Sequence, residues 1–324
     1  MSALLKSIDE RTKLAGTNKL EVLMFTLGVD SRSGRREIFG INVFKVREVM
    51  RIPPITRAPE MPDAVEGMVS LRGALVPVID LAKYTGTQTE GKPEVMIVTE
   101  YNGHTQGFLV EAVDTILRLD WSSMKVPPDM LNSSMGGLVT AVTELADGNL
   151  VMMMDVEKVL AETGHFNDDI ALKAVKPIGV SGRTVFFADD SSVARKQISS
   201  TLDAMEVNHI SAVNGRMAWD ELRKIAHYAE TSGTPVKDMV QVILTDVEMP
   251  EMDGYMLTRK VKEDKRFSGI PVLMHSSLSS TSNQQLGKAV GVDEYVPKFE
   301  PQRLAQTLER LLYTRNNITS SIKC

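Results

Sequence analysis

Short, uninterrupted apolar runs alternate with helical stretches through the second half of this chain, and that alternation constrains its fold more than any other feature. Val185-Phe186-Phe187-Ala188 precedes a helix expected from Ser192 to Met205. Val242-Ile243-Leu244-Thr245 precedes another from Tyr255 to Arg266, and Val272-Leu273-Met274 a third around Ser282 to Val290. Runs of this kind suit strands buried on both faces, and strand–helix alternation implies a parallel sheet with right-handed crossovers.

An open parallel sheet binds ligands at the carboxyl edge of its strands. Asp189 and Asp190 follow one run directly and Asp246 follows another, so the three carboxylates are expected to converge at that edge. Singly, each has a bland reading: Asp189 or Asp190 caps the next helix, and Asp246 opens a turn through Met249-Pro250 and Asp253-Gly254. Together, three carboxylates repel one another and call for a cation, most economically a hard divalent ion with oxygen ligands. Magnesium suits Asp190 and Asp246, with Asp189 acting through water. Ser276 and Lys298 lie just past two further strand ends, where a hydroxyl and an ammonium suit the oxygens of a phosphoryl group.

These residues carry a resemblance. Phe187-Ala188-Asp189-Asp190, the stretch Leu244 to Gly254 around Asp246, Pro271 to Ser276, and Tyr295-Val296-Pro297-Lys298 resemble the receiver domain of two-component response regulators, over about 183 to 315. The resemblance implies a flavodoxin-like α/β fold with a five-stranded parallel sheet of order 2-1-3-4-5. It also implies phosphorylation of Asp246 from a kinase phosphohistidine. Mg²⁺ is then expected on Asp190, Asp246 and the backbone carbonyl of Glu248, with Ser276 and Tyr295 relaying the change and Lys298 touching the phosphoryl group. The chain departs from the family in placing Phe299 and Glu300 between Lys298 and Pro301, where receivers normally have a proline directly after the lysine. Glu248 and Leu278 occupy positions that vary among receivers.

The first half reads differently. Val22 to Phe25, Ile38 to Ile41, Leu75 to Ile79, Val95 to Val98, Gln106 to Val110 and Leu150 to Met154 are short β-like runs separated by turn residues, the pattern of small barrels or sandwiches. A short helix is expected from Asp155 to Leu160, and another amphipathic one between Ser2 and Thr17. Leu71-Arg72-Gly73 alone is a charged turn, and Val46 to Val49 alone passes for one turn of an amphipathic helix.

Gly40 to Val49 and Gly67 to Leu81 nevertheless resemble CheW-type coupling domains, over about 20 to 160. That family implies paired five-stranded β-barrels that dock with the regulatory domain of the histidine kinase CheA and with the cytoplasmic tip of a chemoreceptor. Glu48, Arg72 and Gly73 match its contact positions, and Val46 and Val49 are expected to add apolar contact. The whole chain resembles the CheV family of chemotaxis coupling proteins. The implied plan is an N-terminal helix (1–19), a coupling domain (20–162), a linker (163–182), a receiver (183–315) and a tail (316–324). A receiver lacks an output of its own, so the output is sought upstream. The implied adaptor is a phosphoacceptor rather than an enzyme, in the cytoplasm at receptor arrays. A constitutive coupler whose receiver drains phosphate from the kinase is the alternative.

Composition agrees with a folded two-domain chain. Its 324 residues exceed one ordinary core, and 43% apolar with 24% charged residues is average for a globular protein. A net charge of −5 without a dense basic block gives no footprint for nucleic acid. The single cysteine, Cys324, excludes an intrachain disulfide, and no apolar run is long enough for a membrane span. A haloacid-dehalogenase-like hydrolase also uses an aspartyl nucleophile, but it needs an acid–base Asp two residues on, where this chain has Glu248.

Overall fold

The computed structural model describes residues 19–57, 59–89, 91–101, 104–128, 136–163, 172–179, 182–276 and 287–314. The expected N-terminal helix, the tail and Leu278 lie outside them. The chain divides into two compact units, one spanning Lys19–His165 and one containing Phe166–Cys324.

The first unit holds two five-stranded sheets. One comprises β1 (Lys19–Val29), β2 (Arg36–Asn42), β8 (Ala112–Asp120), β9 (Val139–Glu144) and β10 (Leu150–Met154), in the order β8-β1-β2-β10-β9. The other comprises β3 (Val46–Arg51), β4 (Val65–Leu71), β5 (Ala74–Asp80), β6 (Val95–Tyr101) and β7 (His104–Val110), in the order β3-β6-β7-β5-β4. Each surrounds its own core: Leu20, Val22, Met24, Met124, Val151 and Met153 fill the first, and Val69, Val78, Met96, Val98 and Leu109 the second.

Both sheets are closed by the chain leaving one edge strand. After β3, Thr56 exchanges backbone hydrogen bonds with Met68 on the opposite edge, at 2.9 and 2.8 Å. After β8, Lys125 does the same with Val142 on β9, at 2.8 Å each way. Closure leaves fewer unpaired edge groups, which is how small barrels avoid edge-to-edge association. Asp80 caps the short helix α1 (Leu81–Thr85), and Asp155 accepts from the Lys158 amide at the start of α2 (Val156–Thr163).

One local expectation is overturned. Val46 to Val49 is strand, not helical turn, because β-branched residues here find a partner in β6, with Val49 opposite Ile97 and Glu48 opposite Val98. A valine pair at i, i+3 matches the helical period, and it shares one face of a strand only because the ladder with β6 is bulged between Val46 and Glu48.

In the second unit β11 (Thr184–Ala188), β12 (Asn208–Ala212), β13 (Val242–Thr245), β14 (Val272–Ser276) and β15 (Glu294–Pro297) form a parallel sheet of order β12-β11-β13-β14-β15, the expected 2-1-3-4-5. Helices α3 (Ser192–Ala204), α4 (Gly215–Ser232), α5 (Val236–Met239), α6 (Gly254–Glu263) and α7 (Pro301–Thr314) accompany it. Alternate residues serve opposite faces: Phe186, Ala188 and Ile243 pack with Leu222, Leu257 and Val261, whereas Val185, Phe187 and Leu244 pack with Ile198, Leu202 and Leu308. Val175 and Ile178, read from sequence as linker, join the second of these cores, where the Ile178 amide donates to Met205 O at 3.2 Å and the Tyr313 hydroxyl to Ile178 O.

Gly67 sits at φ +141 in β4, and a Cβ there would lie 2.3 Å from Thr56 O, at the barrel closure. Gly67→Ala is expected to destabilise this unit by more than about 1 kcal/mol, because alanine tolerates neither the conformation nor the contact. Chemical denaturation of the full chain, with the transition of this unit followed separately, checks it.

Candidate functional site

Each acid of the second unit reaches the site because a buried strand ends just before it. Asp189 follows β11 and is fully buried; its amide donates to Ala212 O at 3.3 Å and its Oδ1 accepts from the Ser191 amide at 2.9 Å. Asp246 follows β13; its amide donates to Ala188 O at 2.8 Å and its Oδ1 accepts from the Val247 amide at 2.7 Å. Asp189, Asp190 and Asp246 present carboxylate oxygens within 4.8 Å of one another. The expected convergence is therefore realised.

Lys298, just past β15, is 1% exposed and directs Nζ between Asp189 (3.0 Å) and Asp246 (3.2 Å). Burying an ammonium is tolerable only when it is paired, and here two carboxylates share it. Three carboxylates against this ammonium still leave excess negative charge, and the oxygens are close enough together for a small hard cation. The donor set thus fits Mg²⁺. Glu248 lies two residues beyond Asp246 and is buried; Ser276, at the end of β14, is buried and its carbonyl accepts from the Lys298 amide at 3.3 Å. Tyr295, on β15, packs partly buried against Tyr255, Met274 and Val292. The bond after Lys298 is trans, and Phe299 takes a left-handed φ of 60° in the position where receivers carry proline.

Several supporting residues escaped the sequence reading. Arg195 Nη1 donates to the carbonyls of Asp189 (2.8 Å) and Asp190 (2.9 Å), and the Thr245 hydroxyl to that of Asp246 (2.9 Å). Gly254 approaches so closely that a Cβ would meet Asp246 O at 2.0 Å, and its amide donates to Val247 O at 2.9 Å. The Asp253-Gly254 pair was legible as a turn; its use as a clamp behind Asp246 was not. Arg195 and Thr245 carry no local signal, since both act through backbone groups brought near by the fold.

In the first unit Arg72 and Gly73 form the two-residue loop between β4 and β5. Both have positive φ (51° and 86°), as the hairpin turn that matches strand twist requires. Arg72 Nη2 donates to Glu48 Oε2 at 2.9 Å, joining the tip of one edge hairpin to the other edge strand. A register shift between Val46 and Glu48 places Val46 opposite Thr99 and Val49 opposite Ile97, so the two valines share a face and Glu48 takes the other. Val46, Glu48 and Val49 are partly buried; Arg72 and Gly73 are exposed. Beside them Leu75, hidden in sequence within an apolar strand, is 72% exposed.

The geometry defines the class: a unit of two closed five-stranded sheets followed in the chain by a receiver-like parallel sheet with carboxylates clustered at its strand ends, and the family matches make it a signalling protein rather than a classical enzyme. Residues 21–164 match the CheW-like domain and residues 185–309 the response regulator receiver domain. Chemotaxis protein CheV3 of Helicobacter pylori is 29% identical over 85% of this chain and 88% of its own length, and CheV1 of the same organism is 27% identical over 96% and 99%. Chemotaxis protein CheW of Klebsiella aerogenes is 31% identical over 46% of this chain and 87% of its own. The chain belongs to the CheV family of chemotaxis proteins, a CheW-like domain fused to a receiver.

Asp253 caps α6, accepting from the Met256 amide at 2.7 Å, and burial raises its carboxyl from the ordinary 3.8 to about 6. The folded state then binds this proton more tightly than the unfolded chain, so its contribution to stability falls as pH rises from about 4 to about 6 and stays low above that. Asp253→Asn keeps a capping oxygen and removes the buried charge. Relative to wild type it should gain stability on going from pH 4 to pH 7.5, by up to about 3 kcal/mol for two pKa units. Denaturant midpoints at the two pH values, without added divalent ions, measure it.

Proposed function

We propose that this chain couples a chemoreceptor to the histidine kinase CheA through its first domain, and that phosphorylation of Asp246 controls the coupling. The observation that carries the second clause is the buried Lys298 ammonium between Asp189 and Asp246 at the carboxyl edge of a parallel sheet. In the transfer, an Asp246 carboxylate oxygen bonds to phosphorus as the phosphorus–nitrogen bond of the donor phosphohistidine breaks. The electron pair of that bond leaves with the imidazole, giving an acyl phosphate on Asp246.

The chain's own residues supply positioning and charge. The Val247 amide holds Asp246 Oδ1 at 2.7 Å and leaves Oδ2 toward Lys298. As negative charge spreads over the phosphoryl oxygens, the Lys298 ammonium neutralises part of it, and the buried Ser276 hydroxyl takes another oxygen. Asp190 and Asp246, with the Glu248 carbonyl and Asp189 assisting, would hold Mg²⁺, which supplies further neutralisation of those oxygens. Ser276 and Tyr295 then relay the change through β14 and β15.

On the first domain, the Glu48–Arg72 pair and Gly73 at the turn form the docking surface, with exposed Leu75 adding apolar area and the partly buried Val46 and Val49, on the other face of the same edge strand, adding further apolar contact. A coupling free energy of ~1–3 kcal/mol between the receiver and this surface suffices to change an affinity about 5- to 150-fold.

The affinity of the full chain for the CheA regulatory domain, in Mg²⁺ with and without beryllofluoride, tests the reading. A several-fold difference is expected, lost in Asp246→Ala, which should also abolish phosphate uptake while leaving the chain folded. Equal affinity in both states identifies a constitutive coupler with a phosphate sink. Absence of binding in either state removes the coupling assignment.

A further inference from the structure

Tyr255 is a buried phenol with no part in the chemistry described so far. Only 3% of it is exposed, and it is the second residue of α6, directly after Gly254, whose amide is bonded to Val247 O at 2.9 Å. Its backbone is thereby fastened to the loop that carries Asp246. Its ring packs with Val247, Met274 and Val292, and Tyr295 lies against the same cluster.

The hydroxyl of Tyr295 is held from two sides. The Tyr255 hydroxyl donates to it, and so does the backbone amide of Gly287. The fit at Gly287 is close, since a Cβ there would come within 2.0 Å of the Tyr295 oxygen. Burial first, and then the neighbouring Tyr295, Asp253 and Glu248, raise the Tyr255 hydroxyl above its ordinary range, so Tyr255 is a donor at neutral pH. A buried hydroxyl that loses its acceptor bears a desolvation cost, which gives this bond a defined direction of effect.

We propose that Tyr255 is a positioning residue for the switch: its hydroxyl fixes Tyr295 on Gly287 and so links the Asp246 loop to β15 by a second route, parallel to the one through Ser276. The link rests on the phosphoacceptor reading above for its purpose, but its geometry does not. Because Gly254 bolts Tyr255 to Val247, movement of the Asp246 loop on phosphorylation is transmitted to the Tyr295 oxygen through one hydrogen bond. The arrangement favours the conformer with Tyr295 packed inward, and therefore favours uptake of the phosphoryl group.

Tyr255→Phe removes the hydroxyl and keeps the ring, and it is compared with Tyr295→Phe and with the double variant in the full chain. In the ligand-free protein, hydrogen exchange at the Gly287 amide should speed up several-fold in Tyr255→Phe, because the acceptor on Tyr295 is no longer held. In Mg²⁺, the apparent affinity for beryllofluoride should fall about 2- to 10-fold, the range for one net hydrogen bond. That loss should vanish in the Tyr295→Phe background, as a pair acting through one contact requires. Unchanged Gly287 exchange, a gain in affinity, or an equal loss in both backgrounds overturns the proposal. Failure of wild type to take up beryllofluoride strikes the phosphoacceptor reading instead, and the exchange measurement still decides the link.

Discussion

The receiver half is organised around the pairing of one buried ammonium with two carboxylates. Lys298 is 1% exposed, and an unpaired charge at that depth would cost several kcal/mol. Asp189 and Asp246 compensate it at 3.0 and 3.2 Å, and each is itself fastened by a neighbouring amide. The strand ends must therefore agree in height to within a hydrogen bond, which fixes the register of β11, β13 and β15 relative to one another. Asp190 and the closely set oxygens leave the site short of positive charge, a deficit that suits a hard divalent cation.

Rigidity around this centre comes from small residues and caps rather than from more charge. Gly254 lets α6 approach Asp246 O more closely than any side chain permits, and Asp253 starts that helix at the expense of a buried carboxylate. Arg195 gathers the two carbonyls after β11. On the proposed phosphoacceptor reading, a phosphoryl group would meet groups already oriented, which is where most of the rate advantage of phosphoryl transfer lies.

The coupling half obeys another constraint, the closure of small sheets. Thr56–Met68 and Lys125–Val142 join opposite edges, and Glu48–Arg72 adds a charged bridge at the end of one barrel. Exposed ion pairs of this sort contribute little stability, about 0–1 kcal/mol, so closure rests on the backbone bridges rather than on this pair.

Much of this was legible before any coordinates. Continuous apolar runs ending in Asp189-Asp190 and Asp246 imply a parallel sheet with acids at one edge, because a strand buried on both faces leaves no other pattern and βα units wind one way. The two-residue Arg72-Gly73 turn was visible for a similar local reason. Tertiary structure alone decided that Val46 to Val49 is strand, since two valines three apart match the helical period and share a strand face only through a bulge that pairing with β6 creates. It alone placed Val175 and Ile178 in the receiver core and Leu75 at the surface, because burial is a property of neighbours. The roles of Arg195, Thr245 and Tyr255 were likewise hidden, for each acts on atoms that only folding brings within reach.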